Sequence, residues 1–158
     1  MKKVSVVIPN YNGMQYVKRC LDSLMVQTLK EWEILFVDNG STDGSRELVE
    51  QEYPMVKVIA LPENMGFCRA VNEGIRAAEA EYVVLLNNDT EAEPDFLEEL
   101  YLGICSKRKA FSGGAMMLQF HDREKIDDAG NFYNALGWAF ARGKGKPAKN
   151  YEKENKVF

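Results

Sequence analysis

Short apolar runs recur along this chain. Each breaks off into a polar, turn-prone cluster, and each is followed by a stretch of helical spacing. That rhythm constrains the fold more than any other feature. The β-branched run 4–8 is stopped by Pro9 and reads as a buried strand, and 10–13 reads as loop. Val17, Cys20, Leu21, Leu24 and Met25 then share one helical face, with Lys18, Arg19 and Asp22 on the other. A second strand, 34–37, ends at Asp38. The loop 39–45 after it offers Ser or Thr N-caps for a helix that runs to about Tyr53 and is ended by Pro54. A third strand covers 56–61. After a turn at 64–66, Phe67, Ala70, Val71, Gly74, Ile75 and Ala78 fall on one helical face. A fourth strand covers 82–86. Pro94 then marks a helix start, with Phe96, Leu97, Leu100 and Ile104 as its stripe, and 115–118 reads as a fifth strand. Residues 120–158 show little periodicity.

Strands alternating with helices imply βαβ units and a mostly parallel sheet flanked by helices, a Rossmann-like α/β plan. In such sheets ligands bind beyond the carboxyl ends of the strands. Three polar clusters fall at such ends, 9–12, 38–45 and 87–90. A length of 158 residues suits one domain with a core of its own. The 46% hydrophobic content excludes a disordered chain, yet no apolar run is long enough to cross a bilayer. The run after Met1-Lys2-Lys3 is too short for a signal peptide. Cys20, Cys68 and Cys105 form no metal-type or C-x-x-C spacing, which points to reduced thiols in the cytoplasm. Cys20 and Cys68 sit among apolar residues and read as core. The net charge of −4 gives no reason to expect nucleic acid as a partner. The charge is uneven, because six basic and two acidic residues follow from Arg142 onward. That basic tail is a solvated end or a contact to phosphate or to the inner face of a membrane.

The clusters carry different chemistry. Asn87, Asn88 and Asp89 place one carboxylate and two amides beyond a strand. Such oxygen donors suit Mg or Mn, which keep waters and take further ligands from a phosphate; the alternative is an ordinary Asn/Asp turn. Asp38, at a strand end, can accept hydrogen bonds from a ribose hydroxyl or a base N–H, or serve as an N-cap or Asx-turn residue. Asp43 fits the second role better. Arg69 is placed either to reach phosphate as a fork of donors or to lie on the surface. There is no P-loop and no G-x-G-x-x-G after the first strand, and His121 reads as a surface histidine.

Taken together, Val4-Ser5-Val6-Val7-Ile8-Pro9-Asn10-Tyr11-Asn12, Val37-Asp38-Asn39-Gly40-Ser41-Thr42-Asp43-Gly44, Asn64-Met65-Gly66-Phe67 with Asn72 and Gly74, and Leu85-Leu86-Asn87-Asn88-Asp89-Thr90 resemble the family 2 glycosyltransferases of GT-A fold. The last segment, with Ile126-Asp127-Asp128-Ala129-Gly130, looks most like the rhamnosyltransferase-like branch. The resemblance implies an inverting, metal-assisted transfer of sugar from a nucleoside-diphosphate sugar (UDP-, dTDP- or GDP-linked) to a carbohydrate or lipid-linked acceptor. It implies that Pro9, Asn10 and Tyr11 line the base pocket with Asn88 nearby. Asp38 would bind base or ribose with Arg69 assisting. Asp89, with Asn87, would hold Mg or Mn. Asn39 and Asn87 stand where the family often has Asp. No segment resembles the family's catalytic-base region, so no base is assigned.

On this reading residues 1–118 form the donor-binding region, and 119–158 begin the acceptor side and the basic tail. On the same reading the chain is expected to end before the acceptor half and, with an incomplete layer, to self-associate. Two other functions compete: a non-catalytic nucleotide-binding or partner module, and a sugar nucleotidyltransferase. The second is disfavoured because 9–13 is not the Gly-rich, basic loop that such enzymes place after their first strand.

Overall fold

A computed structural model of the chain describes residues 1–133, 135–136 and 138–151. The chain divides into two compact units, Met1–Cys105 and Ser106–Phe158.

The first unit is built on four parallel strands, β1 (Val4–Asn10), β2 (Trp32–Asp38), β3 (Lys57–Ala60) and β4 (Tyr82–Leu85), in the order β3-β2-β1-β4. Helices α1 (Met14–Met25), α2 (Ser45–Glu52) and α3 (Phe67–Ala77) connect them, and α4 (Phe96–Ser106) follows β4. The two central strands carry apolar residues on both faces because both faces are covered. Val4, Val6, Ile8, Ile34 and Phe36 pack with Val17, Leu21 and Leu24 of α1 and Leu97 of α4, while Val7, Leu35 and Val37 pack with Ala70 of α3. Gly74 of α3 lies so close to the sheet that a Cβ there would overlap Val7 and press on Val37.

Pro9 sits inside a central strand, where a missing N–H normally breaks the ladder. The register explains its place. The Val7 carbonyl accepts from Leu86 on the β4 side, and the Asn10 carbonyl accepts from Asn39 on the β2 side. Pro9, in phase with Val7, therefore faces the β4 side beyond the last β1–β4 pair, Val7–Leu85, where no donor is required.

Three expectations need correction. The N-cap of α2 is Gly44 rather than a Ser or Thr, and it makes no side-chain capping bond. The chain turns through φ 85° there, which favours glycine, and Ser45 becomes the first helical residue. Cys68 is exposed, not core. At about 100° per residue it lies roughly 110° around α3 from the buried stripe of Ala70, Val71 and Gly74. Phe67 and Ile75, expected on the buried face, are also exposed. Ile75 is off the stripe, and Phe67 occupies the first turn of α3, at the loop end of the unit. Cys20, by contrast, is fully buried, and burial pushes its thiol up to about 12.

In the second unit, β5 (Met117–Gln119) pairs antiparallel with β6 (Asp122–Asp128), and β7 (Asn131–Tyr133) pairs antiparallel with β8 (Ala139–Ala141). The expected fifth strand thus exists, shifted by a residue or two, as one arm of a hairpin. Ile126 is fully buried, and Gly130, at φ 100°, donates its N–H to Asp128 across a tight turn. His121 is exposed against Phe120. The last part of the basic tail, 152–158, lies outside the described residues.

Candidate functional site

Parallel strands bring their carboxyl ends to one edge, and the β1–β2 register makes Asn10 and Asp38 the last paired residues on that edge. The site grows from this pair. Asp38 is almost fully buried. Its Oδ2 accepts the Ser41 N–H at 3.2 Å, and its Oδ1 lies 3.4 Å from Asn10 Nδ2. Asn10 Nδ2 is also directed at Ser41 Oγ (3.1 Å) and Ser45 Oγ (2.9 Å). On its other side, Asn10 Oδ1 accepts from Asn88 Nδ2 at 2.6 Å. One buried amide thereby ties the β1, β2 and β4 loops together. A satisfied polar junction of this kind is rigid, because each unmade bond would leave a buried group without a partner.

Two further residues, Asn12 and Asp43, lace the first two loops. Asn12, in left-handed conformation at φ 51°, donates its N–H to Ser41 Oγ and accepts the Thr42 N–H on its own Oδ1. Asp43 accepts the Met14 N–H at the start of α1 (2.8 Å) and the Ser45 N–H and hydroxyl at the start of α2 (3.0 and 2.6 Å). A carboxylate placed at two helix N-termini is stabilised by their dipoles. Desolvation alone would raise the Asp43 carboxyl. The bonds from Ser45 and Met14 outweigh it and hold the group below its ordinary value.

Asn39 braces a fourth loop. Its Nδ2 donates to Asn64 Oδ1 at 3.0 Å, and its Oδ1 accepts the Met65 N–H at 2.9 Å. The result is a cavity of about 370 Å³ at the carboxyl edge, lined by Pro9, Asn10, Tyr11, Asn39, Asn64, Phe67, Ala70, Asn87, Asn88 and Asp89. Tyr11 and Phe67 are half-exposed aromatic walls. Asn87 and Asp89 are exposed at the far side. The turn that carries them is closed by Thr90, whose N–H and hydroxyl both donate to the Asn87 carbonyl.

Of the residues singled out from sequence, the structure brings Pro9, Asn10, Tyr11, Asn87, Asn88 and Asp89 to one cavity. Asp38 lies behind Asn10 and supports it. Arg69 is not among the lining residues. It projects from α3, exposed, and its Nε pairs with Glu73 at 2.8 Å. Sequence reasoning missed Asn39, Asn64 and Phe67 as members of the site. The available signal was position: Asn39 directly after β2, Asn64 in the loop between β3 and α3, and Phe67 in the first turn of α3.

The donor set suits a hard divalent cation. Asp89 supplies a carboxylate and Asn87 a carbonyl oxygen, while Asn88 is committed to Asn10. Among the described residues no group of three or more His, Cys, Asp or Glu side chains is placed to hold a metal ion. A cation at Asp89 and Asn87 would have to take most of its oxygens from a bound phosphate and water.

This architecture is a GT-A-type α/β domain. Residues 1–349 of S. aureus TarS, solved in complex with UDP, superpose with a TM-score of 0.62 at 25% identity, over 74% of this chain and 40% of that one. The chain belongs to glycosyl transferase family 2, whose model matches residues 5–156. It is 32% identical over 127 residues to the putative teichuronic acid biosynthesis glycosyltransferase TuaG of Bacillus subtilis, covering 78% of this chain and 50% of that protein. It is 38% identical over 101 residues to glycosyltransferase GlyA of Streptococcus pneumoniae, covering 63% of this chain and 14% of that protein. The chain thus spans half or less of the length of these relatives. Among the described residues no helix is long and apolar enough to cross a membrane.

Proposed function

We propose that this chain binds the nucleoside-diphosphate part of a sugar donor at the carboxyl edge of its sheet. The protein it represents would transfer that sugar, with inversion, to a carbohydrate or lipid-linked acceptor. The observation that carries the proposal is the Asn10 junction, which gathers three strand-end loops around one cavity walled by Tyr11 and Phe67. Likeness to TarS, solved with UDP and with UDP-GlcNAc, supports nucleotide binding. Pro9, Asn10 and Tyr11 would hold the base. Asp38, with both oxygens engaged, would act through Asn10 and the Ser41 loop unless it exchanges a partner for ribose. Arg69 would have to leave Glu73 to reach a phosphate. Asp89 and Asn87 would hold Mg or Mn, which when bound neutralises charge on the departing diphosphate.

Binding without turnover by this chain alone is the second reading. One observation favours it: among the described residues lining the cavity, Asp89 is the one carboxylate, so a separate general base is not present there. Calorimetric titration with UDP, dTDP, GDP and CDP tests the first step. One nucleotide should bind, and Tyr11→Ala should weaken it. Binding of none, or binding insensitive to Tyr11, would refute the site. Release of free sugar from the matching donor would then separate turnover from binding.

A further inference from the structure

Cys20 and Ser23 of α1, with Gln27 just beyond its end, are spaced three and four residues apart and so share one side of the helical path. All three direct their hydrogen bonds at the backbone of the segment that follows β4. Cys20 Sγ lies 3.7 Å from the Asn87 carbonyl oxygen. Ser23 Oγ accepts the Ala92 N–H at 3.0 Å and donates to the Cys20 carbonyl at 2.7 Å. Gln27 Nε2 donates to the carbonyls of Glu93 (2.7 Å) and Ser23 (3.1 Å), and its Oε1 accepts the Leu97 N–H at 2.9 Å. The Gln27 side chain has no solvent exposure.

These contacts bracket one short stretch. The backbone is held at Asn87 on one side and at Ala92 and Glu93 on the other, and Asp89 stands between the two anchors. Apolar packing alone could press α1 against this segment. Three directional polar groups also fix where its backbone lies, and a buried amide such as Gln27 is tolerated because each of its bonds is made. We propose that Ser23 and Gln27 are positioning residues for Asp89. They fix the far side of its turn so that the carboxylate stays in reach of a divalent cation bound with a nucleoside diphosphate. The role rests on the reading of Asp89 as a metal ligand.

The test uses the chain with UDP, dTDP, GDP and CDP. Manganese binding is followed by the electron paramagnetic resonance of free Mn(II), and metal-free nucleotide affinity is measured in parallel. Ser23→Ala is expected to weaken manganese binding by roughly tenfold, as loss of outer partners of metal ligands does. Metal-free nucleotide affinity should not change, and amide exchange across 88–92 should speed up. Ser23→Thr, which keeps the hydroxyl, should restore manganese affinity. The positioning role is overturned if Ser23→Ala binds manganese as tightly as the wild type. It is also overturned if that variant loses metal-free nucleotide affinity and manganese affinity together, as a purely structural lesion would. A wild-type chain with no manganese-dependent binding to any of the four nucleotides overturns the ligand reading of Asp89 itself, and the positioning role with it.

Discussion

Asn88 Nδ2 donates to Asn10 Oδ1 at 2.6 Å, joining the loop after β4 to the last residue of β1. The neighbouring Gly13 exists in the space this bond leaves. A Cβ at position 13 would overlap both the Asn88 amide and Asn10 Oδ1. Gly13→Ala should therefore separate the two amides. Overpacking of this kind costs about 1–3 kcal/mol, which denaturant unfolding would read as a lower midpoint at unchanged slope. Nucleotide binding should fall with it. A variant of full stability would show that the junction has room the structure does not.

Asn39 holds a neighbouring loop through both ends of its amide. Its Nδ2 donates to Asn64 Oδ1, which also accepts the Gly66 N–H. A carboxylate at 39 cannot donate, and turning the Asn64 amide to meet it would abandon Gly66. Asn39→Asp is expected to destabilise this chain by about 1–3 kcal/mol, the usual penalty for an unmade buried bond. Equal unfolding midpoints for the two proteins would contradict this.

Asp43 sets an acid limit. Its folded carboxyl is held below its ordinary value by Ser45 and Met14 despite burial. A group depressed in the folded state contributes stability above its unfolded pKa, about 4 for Asp, and that contribution is lost as pH falls through the folded value. The difference in stability between wild type and Asp43→Asn should accordingly be constant at neutral pH and shrink below about pH 4. Parallel pH profiles down to acid unfolding would count against the two-helix capping role.

Gly74 tests the packing under the site. Because a Cβ there would overlap Val7, Gly74→Ala should lift α3 from the sheet. The helix-propensity gain from Gly to Ala is about 1 kcal/mol, and the overlap should outweigh it. Net stabilisation by this variant would show that α3 is free to shift.

Much of this was legible in the sequence, for definable reasons. The buried runs around Val6 and Leu35, and the helical spacing of Val17, Leu21 and Leu24, are period signals that tertiary structure did not override. The polar clusters at Asn10, Asp38 and Asn87 located the cavity because a parallel sheet must bring strand ends together. Less could be read where two segments decide jointly. That Asn39 props Asn64, or that Ser23 and Gln27 hold Ala92, Glu93 and Leu97, depends on partners 25 to 70 residues away. Cys68 was misread because apolar neighbours in sequence do not fix a narrow stripe's phase. The partner of β5 and the hairpin β7–β8 escaped detection because β6 is charged at every position but Ile126, which hides any alternation, and β7 and β8 are three residues each, too short for a period to show.

The most direct test of the central claim is thermal unfolding of the chain with UDP, dTDP, GDP and CDP, each with and without manganese, repeated on Asp89→Ala. A ligand at about a hundred times its dissociation constant adds roughly 2.7 kcal/mol, and each kcal/mol moves the midpoint of a domain this size by about 2–4 °C. The account predicts a rise of several degrees with one nucleotide, enlarged by manganese in the wild type and not in Asp89→Ala. An unchanged midpoint with all four nucleotides, with or without the metal, would contradict it.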